Sequence, residues 1–185
     1  MRPEIHKARR IGERTPVFRD VTVADAGFIL SLRTDMNKAR YLSTTSADLA
    51  QQASWLEKYA TDTDQAYFII MESNGVPLGT VRLYDPQGVS FCWRSWILQD
   101  GAPSHAAIES DLIVYAYAID HLGFQKAHFD VRKGNEHVWK YHERFGAIRI
   151  DESKQDLFYR IDNKSIAAAR YRYQKYLPGL LTIET

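Results

Sequence analysis

The sequence predicts a single mixed α/β domain, a sheet flanked by helices, on three observations. Residues 66–98 hold three β-rich runs joined by tight turns, the pattern of an antiparallel meander. Residues 91–132 read strand, helix, strand, which implies a parallel pair joined by a right-handed crossover. Helical periodicity brackets both stretches.

Residues 1–16 ("MRPEIHKARRIGERTP") are basic and lack an apolar segment, so they read as an N-terminal arm rather than a secretory signal. Residues 17–21 ("VFRDV") alternate as a short strand. In "ADAGFILSLR" Ala26, Ile29, Leu30 and Arg33 recur at helical spacing. Ser46 is placed to cap a second helix, in which Leu49, Ala53, Leu56 and Ala60 share one side. "AYFIIMES" and "VPLGTVRLY" flank Asn74-Gly75, a pair that tolerates the positive φ angles of a type I′ turn. A second turn over residues 85–88 ("DPQG") leads into "VSFCWRSWIL". Pro103 and Ser104 open the crossover helix, Ile108, Leu112, Tyr115, Ile119 and Leu122 stripe it, and Gly123 stops it. "AHFDVR" is the next strand. Asn135 caps the helix that follows, Gly146 ends it, and "AIRID" and "DLFYRID" supply the last strands. A final helix over residues 163–177 turns Ile166, Ala169, Tyr173 and Tyr176 inward. The order is β-α-α-β-β-β-α-β-α-β-β with an extra C-terminal helix: an arm (1–16), a domain (17–162), and a helix and tail (163–185) packed on that domain.

With 45% hydrophobic residues in 185, the chain can build a core. Its formal net charge of +1 carries neither a nucleic-acid footprint nor a polybasic membrane surface. The longest apolar run, "LIVYAYAI" (residues 112–119), falls well below the roughly 18 residues that span a bilayer. Cys92 is the single cysteine, which points to a reducing, cytoplasmic setting, and its apolar strand makes it a poor nucleophile. No HExxH, CxxC or carboxylate cluster signals a metal.

Where the strand at residues 91–98 meets a parallel neighbour at 127–132, the ladder can splay and expose backbone to an extended ligand. The crossover helix begins beside that point, and its unpaired amides and positive dipole end suit a pyrophosphate. The helix after Asn135 carries Val138, Tyr141, His142 and Phe145 on one side. His142 is then either a packed histidine satisfied by a carbonyl or a group placed for chemistry. Asp130 belongs to a solvated strand face or accepts a proton. Arg82 and Trp93 are core or line an acceptor pocket. "RYRYQKY" (170–176) is a helix with a basic outer face, or a nucleic-acid contact.

The order of elements, "WIL" (96–98) followed by a helix, and the spacing of Asn135, His142, Gly146 and Ala147 resemble the GNAT superfamily of acyl-CoA-dependent N-acyltransferases. "LRTDMNKARYL" (32–42) and Trp55 of "SADLAQQASWL" resemble a branch that acetylates ribosomal-protein N-termini or the amines of nucleotide-linked sugars. The likeness covers residues 17–162. It implies that Trp96, Ile97 and Leu98 hydrogen-bond the pantetheine arm of acetyl-CoA through their backbone. Residues 102–107, with Ser104, His105, Ala106 and Ala107, would hold the pyrophosphate, and Asn135 and Val138 would touch the cofactor arm. His142 falls where many members have a tyrosine that protonates the departing thiolate, a task an imidazole near pKa 6.5 suits better than a phenol near 10. The resemblance makes Tyr141 a second candidate acid, Asp130 the acceptor of the amine's proton, and Arg33, Tyr41, Arg82 and Trp93 the acceptor pocket. One departure is plain: the family loop reads Q/R-x-x-G-x-G/A, whereas "APSHAA" has no arginine, His105 at the first glycine and Ala107 at the second.

The functional expectation is an acetyl-CoA-dependent N-acetyltransferase acting on a nucleotide-linked amino sugar, with a protein N-terminus as the alternative acceptor. From a different class, a non-catalytic binding module that has lost the phosphate loop competes with it. A small-molecule amine is the expected partner, with neither nucleic acid nor membrane; a homodimer is left open.

Overall fold

The strands are β1 (Arg10–Ile11), β2 (Val17–Asp20), β3 (Ala66–Met71), β4 (Pro77–Gln87), β5 (Ser90–Leu98), β6 (Lys126–Arg132), β7 (Ile148–Glu152), β8 (Asp156–Asp162) and β9 (Ile183–Glu184). The helices are α1 (Ala26–Thr34), α2 (Met36–Ala39), α3 (Leu49–Thr61), α4 (Ala106–Tyr115), α5 (Glu136–Phe145) and α6 (Asn163–Arg172). The structure, a computed structural model, describes residues 2–14, 16–42, 44–176 and 181–185. All nine strands join one sheet in the order β7-β8-β6-β5-β4-β3-β2-β1-β9. β5 and β6 run parallel through the α4 crossover, and the other described pairings are antiparallel.

Alternation along β3 feeds two cores. Tyr67, Ile69 and Met71 face Ile29 of α1 and Leu56 and Tyr59 of α3. Phe68 and Ile70 face the opposite side, where α4, α5 and α6 pack. The second half of α4 is apolar all round because it is covered all round: Leu112, Ile113, Val114 and Tyr115 are all buried. It continues into a wider turn over Ala116–His121, where Tyr117 Oη donates to the carbonyl of His6 at 2.7 Å. Described residues of the N-terminal arm therefore do structural work. Ile5, Ala8 and Ile11 are buried in the same core, and β1 pairs with both β2 and β9.

Several local expectations shift. The cap of α3 is Asp48, whose carboxylate accepts from the amides of Ala50 and Gln51; Ser46 instead accepts from Asp48. The hairpin loop spans three residues, and only Gly75 takes a positive φ (+92°), so the turn is not type I′. The β4–β5 turn falls at Gly88-Val89, two residues past the expected site, because β4 runs on through Pro86. Ser104 does not cap α4; His105 occupies that position. Asn135 sits at the start of α5 without a side-chain cap bond. The last helix ends at Arg172, with a single tighter turn at Gln174–Tyr176; the expected end at Leu177 lies outside the described residues.

The feature that positions the site is the parting of β5 from β6. Ladder pairing holds from Ser90–Lys126 to Cys92–His128 and stops there. β6 stays bonded to β8 along its whole length, so β5 is the strand that veers away. A bulge assists: Thr80 pairs with Ile97 and Arg82 with Arg94, leaving one extra residue on β5, and Ser95 takes φ +51°. Gly79 permits the close approach of β4, since a Cβ there would lie 2.2 Å from the Ile97 carbonyl oxygen.

Candidate active site

A cavity of about 510 Å³ fills the divergence and is lined from both faces of the sheet. Arg33 of α1, Tyr41 beyond α2, and Gln51, Gln52 and Trp55 of α3 form one side. Asn135, Val138 and His142 of the α5 region form the other. Strand register places the middle. Tyr67 pairs with Arg82, and Arg82 with Arg94, so three side chains lie in a row across β3, β4 and β5. Arg94 Nη2 then donates to Asp130 Oδ2 at 2.7 Å, carrying the row over the gap to β6.

This lining is electropositive. Among the described residues it holds four arginines (Arg33, Arg82, Arg94 and Arg132) and one carboxylate, Asp130. The Arg82 guanidinium lies 5.0 Å from the Trp55 ring centre and 4.8 Å from that of Tyr84, and Gln65, not a carboxylate, accepts from its Nε. Burial lowers its pKa. Arg33 Nε donates to Thr45 Oγ1 at 2.7 Å. Burial raises the pKa of Asp130, opposed by Arg94. Tyr67 Oη and Trp93 Nε1 are buried and have no partner in hydrogen-bond geometry among the described residues.

His142 lines this cavity, so the side predicted from spacing alone is the side it takes. Its ring is wedged against Phe129 (4.4 Å between centroids), Trp93 (5.4 Å) and Trp96 (6.0 Å). It is 5% exposed, and burial pushes its pKa down to about 3. That corrects the expectation of a proton donor near pKa 6.5: at neutral pH the ring is uncharged and holds no acidic proton to give. Tyr141 is also corrected. It lies outside the cavity, its Oη donates to Asp111 Oδ2 at 2.7 Å, and burial with that carboxylate drives its pKa far up. Asp111 is fully buried. Desolvation raises its pKa to about 8, and its Oδ1 has no hydrogen-bond partner among the described residues.

Residues 17–148 match a family model described as an acetyltransferase (GNAT) domain. The chain belongs to the GNAT acetyltransferase family. Apo FdhC, described as a nucleotide-linked sugar GNAT, is 35% identical to it, covers 94% of this chain and 98% of its own, and has a TM-score of 0.78. A GCN5-related N-acetyltransferase from Brucella melitensis shares the fold at 18% identity, 95% and 88% coverage and a TM-score of 0.75. So does a mutant of the spermidine N-acetyltransferase SpeG from Vibrio cholerae, at 15% identity, 85% and 96% coverage and a TM-score of 0.66. No curated protein matches the sequence.

This GNAT acetyltransferase brings together only part of the expected cofactor set. Trp96 lines the cavity and anchors its indole by donating to Ser110 Oγ at 3.0 Å. Ile97 and Leu98 pair with Thr80 and Gly79 on the far side of β5, away from the cavity. Ser104, His105, Ala106 and Ala107 sit at the start of α4, also outside it. His105 adopts ordinary right-handed backbone (φ −89°, ψ −11°), so no glycine is required there. The amides of Ala107 and Ile108 find no carbonyl among the described residues, as the first turn of a helix dictates. The acceptor set fares better: Arg33, Tyr41, Arg82 and Trp93 all line the cavity, as do Asp130, Asn135 and Val138. Tyr67, Tyr84 and Arg94 were missed as wall residues, because only register puts them there. His128 bridges Ser90 Oγ (2.8 Å) and Asp85 Oδ2 (3.2 Å), yet Ser90 is 5% exposed and neither residue lines the reaction cavity. Among the described residues no helix is long and apolar enough to cross a membrane.

Proposed function

We propose that the chain moves an acetyl group from acetyl-CoA to the primary amine of a nucleotide-linked amino sugar. One observation carries the reading: four arginines face a single carboxylate that is already tied to Arg94. Such a wall repels a polyamine and attracts an acceptor bearing phosphate. Trp55, Tyr84 and Trp93 add aromatic surface against which a sugar ring can lie. The likeness to FdhC at 35% identity supports the same acceptor class. A single buried cysteine suits a reducing, cytoplasmic setting.

The residues fit acetyl-CoA in part. The β5 backbone beyond Cys92 is free of β6, and the first-turn amides of α4 can hold a phosphate, but the loop has no arginine. Acetyl-CoA supplies an activated thioester, at whose carbonyl carbon the C–N bond forms as the C–S bond breaks. Asp130 takes the proton of the arriving ammonium, directly or through a water, and its raised pKa strengthens it as a base. Arg94 keeps it ionised at rest. Freed β5 amides polarise the carbonyl. His142, neutral, offers an N–H hydrogen bond to the charge that grows on sulfur, and the sulfur leaves as the thiol with the second proton of the attacking amine.

An acceptor screen with thiol release as the readout tests this. Nucleotide-linked amino sugars should give the highest kcat/KM. A higher value with peptide N-termini or with spermidine would overturn the acceptor. Absence of both thiol release and an acetyl-CoA thermal shift would mark a non-catalytic module.

A further inference from the structure

Next to the reaction cavity lies a second one, of about 810 Å³, which shares Arg33, Tyr41 and Arg132 with it. The end of α1 and the segment after α2 form one wall. The turn into α5, at Lys133 and Gly134, and the β7–β8 turn, at Lys154, form the other. Five cations line this basin: Arg33, Arg40, Arg132, Lys133 and Lys154, with no carboxylate among the described lining residues. A chain with 24 basic and 23 acidic side chains does not concentrate charge so by average composition. Arg132 is shared with Asp156 at 3.2 Å and Lys133 with Glu152 at 3.4 Å. Arg40 and Lys154, both exposed, form no ion pair with any described residue.

Like charges gathered round a basin repel one another, and a compact polyanion relieves that repulsion with charge-assisted hydrogen bonds. Building on the acceptor reading above, we infer that this basin holds the diphosphate of the nucleotide carrier while the sugar reaches into the reaction cavity. The shared residues Arg33 and Arg132 stand at the junction, where the linkage between the two halves of the acceptor would pass. Coenzyme A carries the same phosphate chemistry. Its expected holding point, the start of α4, belongs to the opposite face of the sheet, so competition separates the two sources.

The test is calorimetric titration of uridine diphosphate and thymidine diphosphate into the full chain, with and without saturating coenzyme A. Binding should persist with coenzyme A present, weaken as salt rises, and fall at least tenfold in Arg40→Ala/Lys154→Ala. With a nucleotide-linked amino sugar, the same double variant should raise the acceptor KM at least tenfold while kcat and the acetyl-CoA KM hold. An unchanged diphosphate affinity in the variant, or displacement of the diphosphate by coenzyme A, overturns the proposal. If affinity falls in the variant while no nucleotide-linked sugar is acetylated, the basin stands and the acceptor reading fails.

Discussion

Asp111, which accepts from Tyr141 beside His142, and His142 itself pull stability in opposite directions with pH. Folded Asp111 keeps its proton to about pH 8, whereas an unfolded aspartate ionises near 3.9. Its contribution is therefore full at low pH and is lost as pH rises through about 8. His142 acts the other way: the unfolded ring gains a proton below about 6.5 that the folded ring refuses until about 3. Between pH 6.5 and 8 the Asp111 difference persists, whereas that of His142 has ended. Wild type should lose stability relative to Asp111→Asn there, by at most about 1.4 kcal/mol per pH unit. Urea midpoints of both proteins at the two pH values decide it; a difference that does not change with pH means that Asp111 is ionised in the fold. For His142→Phe, kcat should fall about tenfold, the worth of one hydrogen bond, with no change in the shape of the pH 6–8 profile. A limb near pH 6.5 that disappears in this variant would mean that an imidazolium acts. Spacing alone reveals which side His142 takes. Its protonation state is hidden, because Phe129, Trp93 and Trp96 come from other elements.

At the scale of elements, hydrophobic alternation and turn residues suffice to find the meander, the crossover and α5. Register is a different matter. Tyr67, Arg82 and Arg94 share a row only because β3, β4 and β5 align as they do, and a bulge at Ser95 shifts that alignment by one residue. Nothing local in "CWRSWIL" announces the bulge. Gly79 is its silent counterpart on β4. Gly79→Ala should cost about 1–3 kcal/mol in denaturant unfolding, because the new methyl displaces the β5 backbone at Ile97. Acetyl transfer measured on the still-folded fraction should drop as well, since displacing β5 at Ile97 also shifts its neighbours Ser95 and Trp96 in the cavity wall. Normal turnover in a folded Gly79→Ala protein would detach the bulge from catalysis.

Over the whole molecule, α1 and α3 on one face and α4, α5 and α6 on the other make the sheet a partition. The N-terminal residues complete the second core, which their pattern conceals: Ile5, Ala8 and Ile11 recur every three residues among charges, a period that matches neither helix nor strand. Ile11→Ala should cost about 2–5 kcal/mol in thermal or chemical unfolding, a loss that a loose arm would not show.

A partition with a slot through it also governs traffic. Because the slot is walled from both sides, donor and acceptor can be resident together, each arriving by its own door and in either order. Cys92, the one thiol, is buried with its pKa pushed up to about 11, so it offers no covalent stopover. Double-reciprocal plots at several fixed donor concentrations should accordingly intersect. A parallel family would require an acylated protein to leave and return, and the walls of this slot hold no cysteine to carry the acyl group.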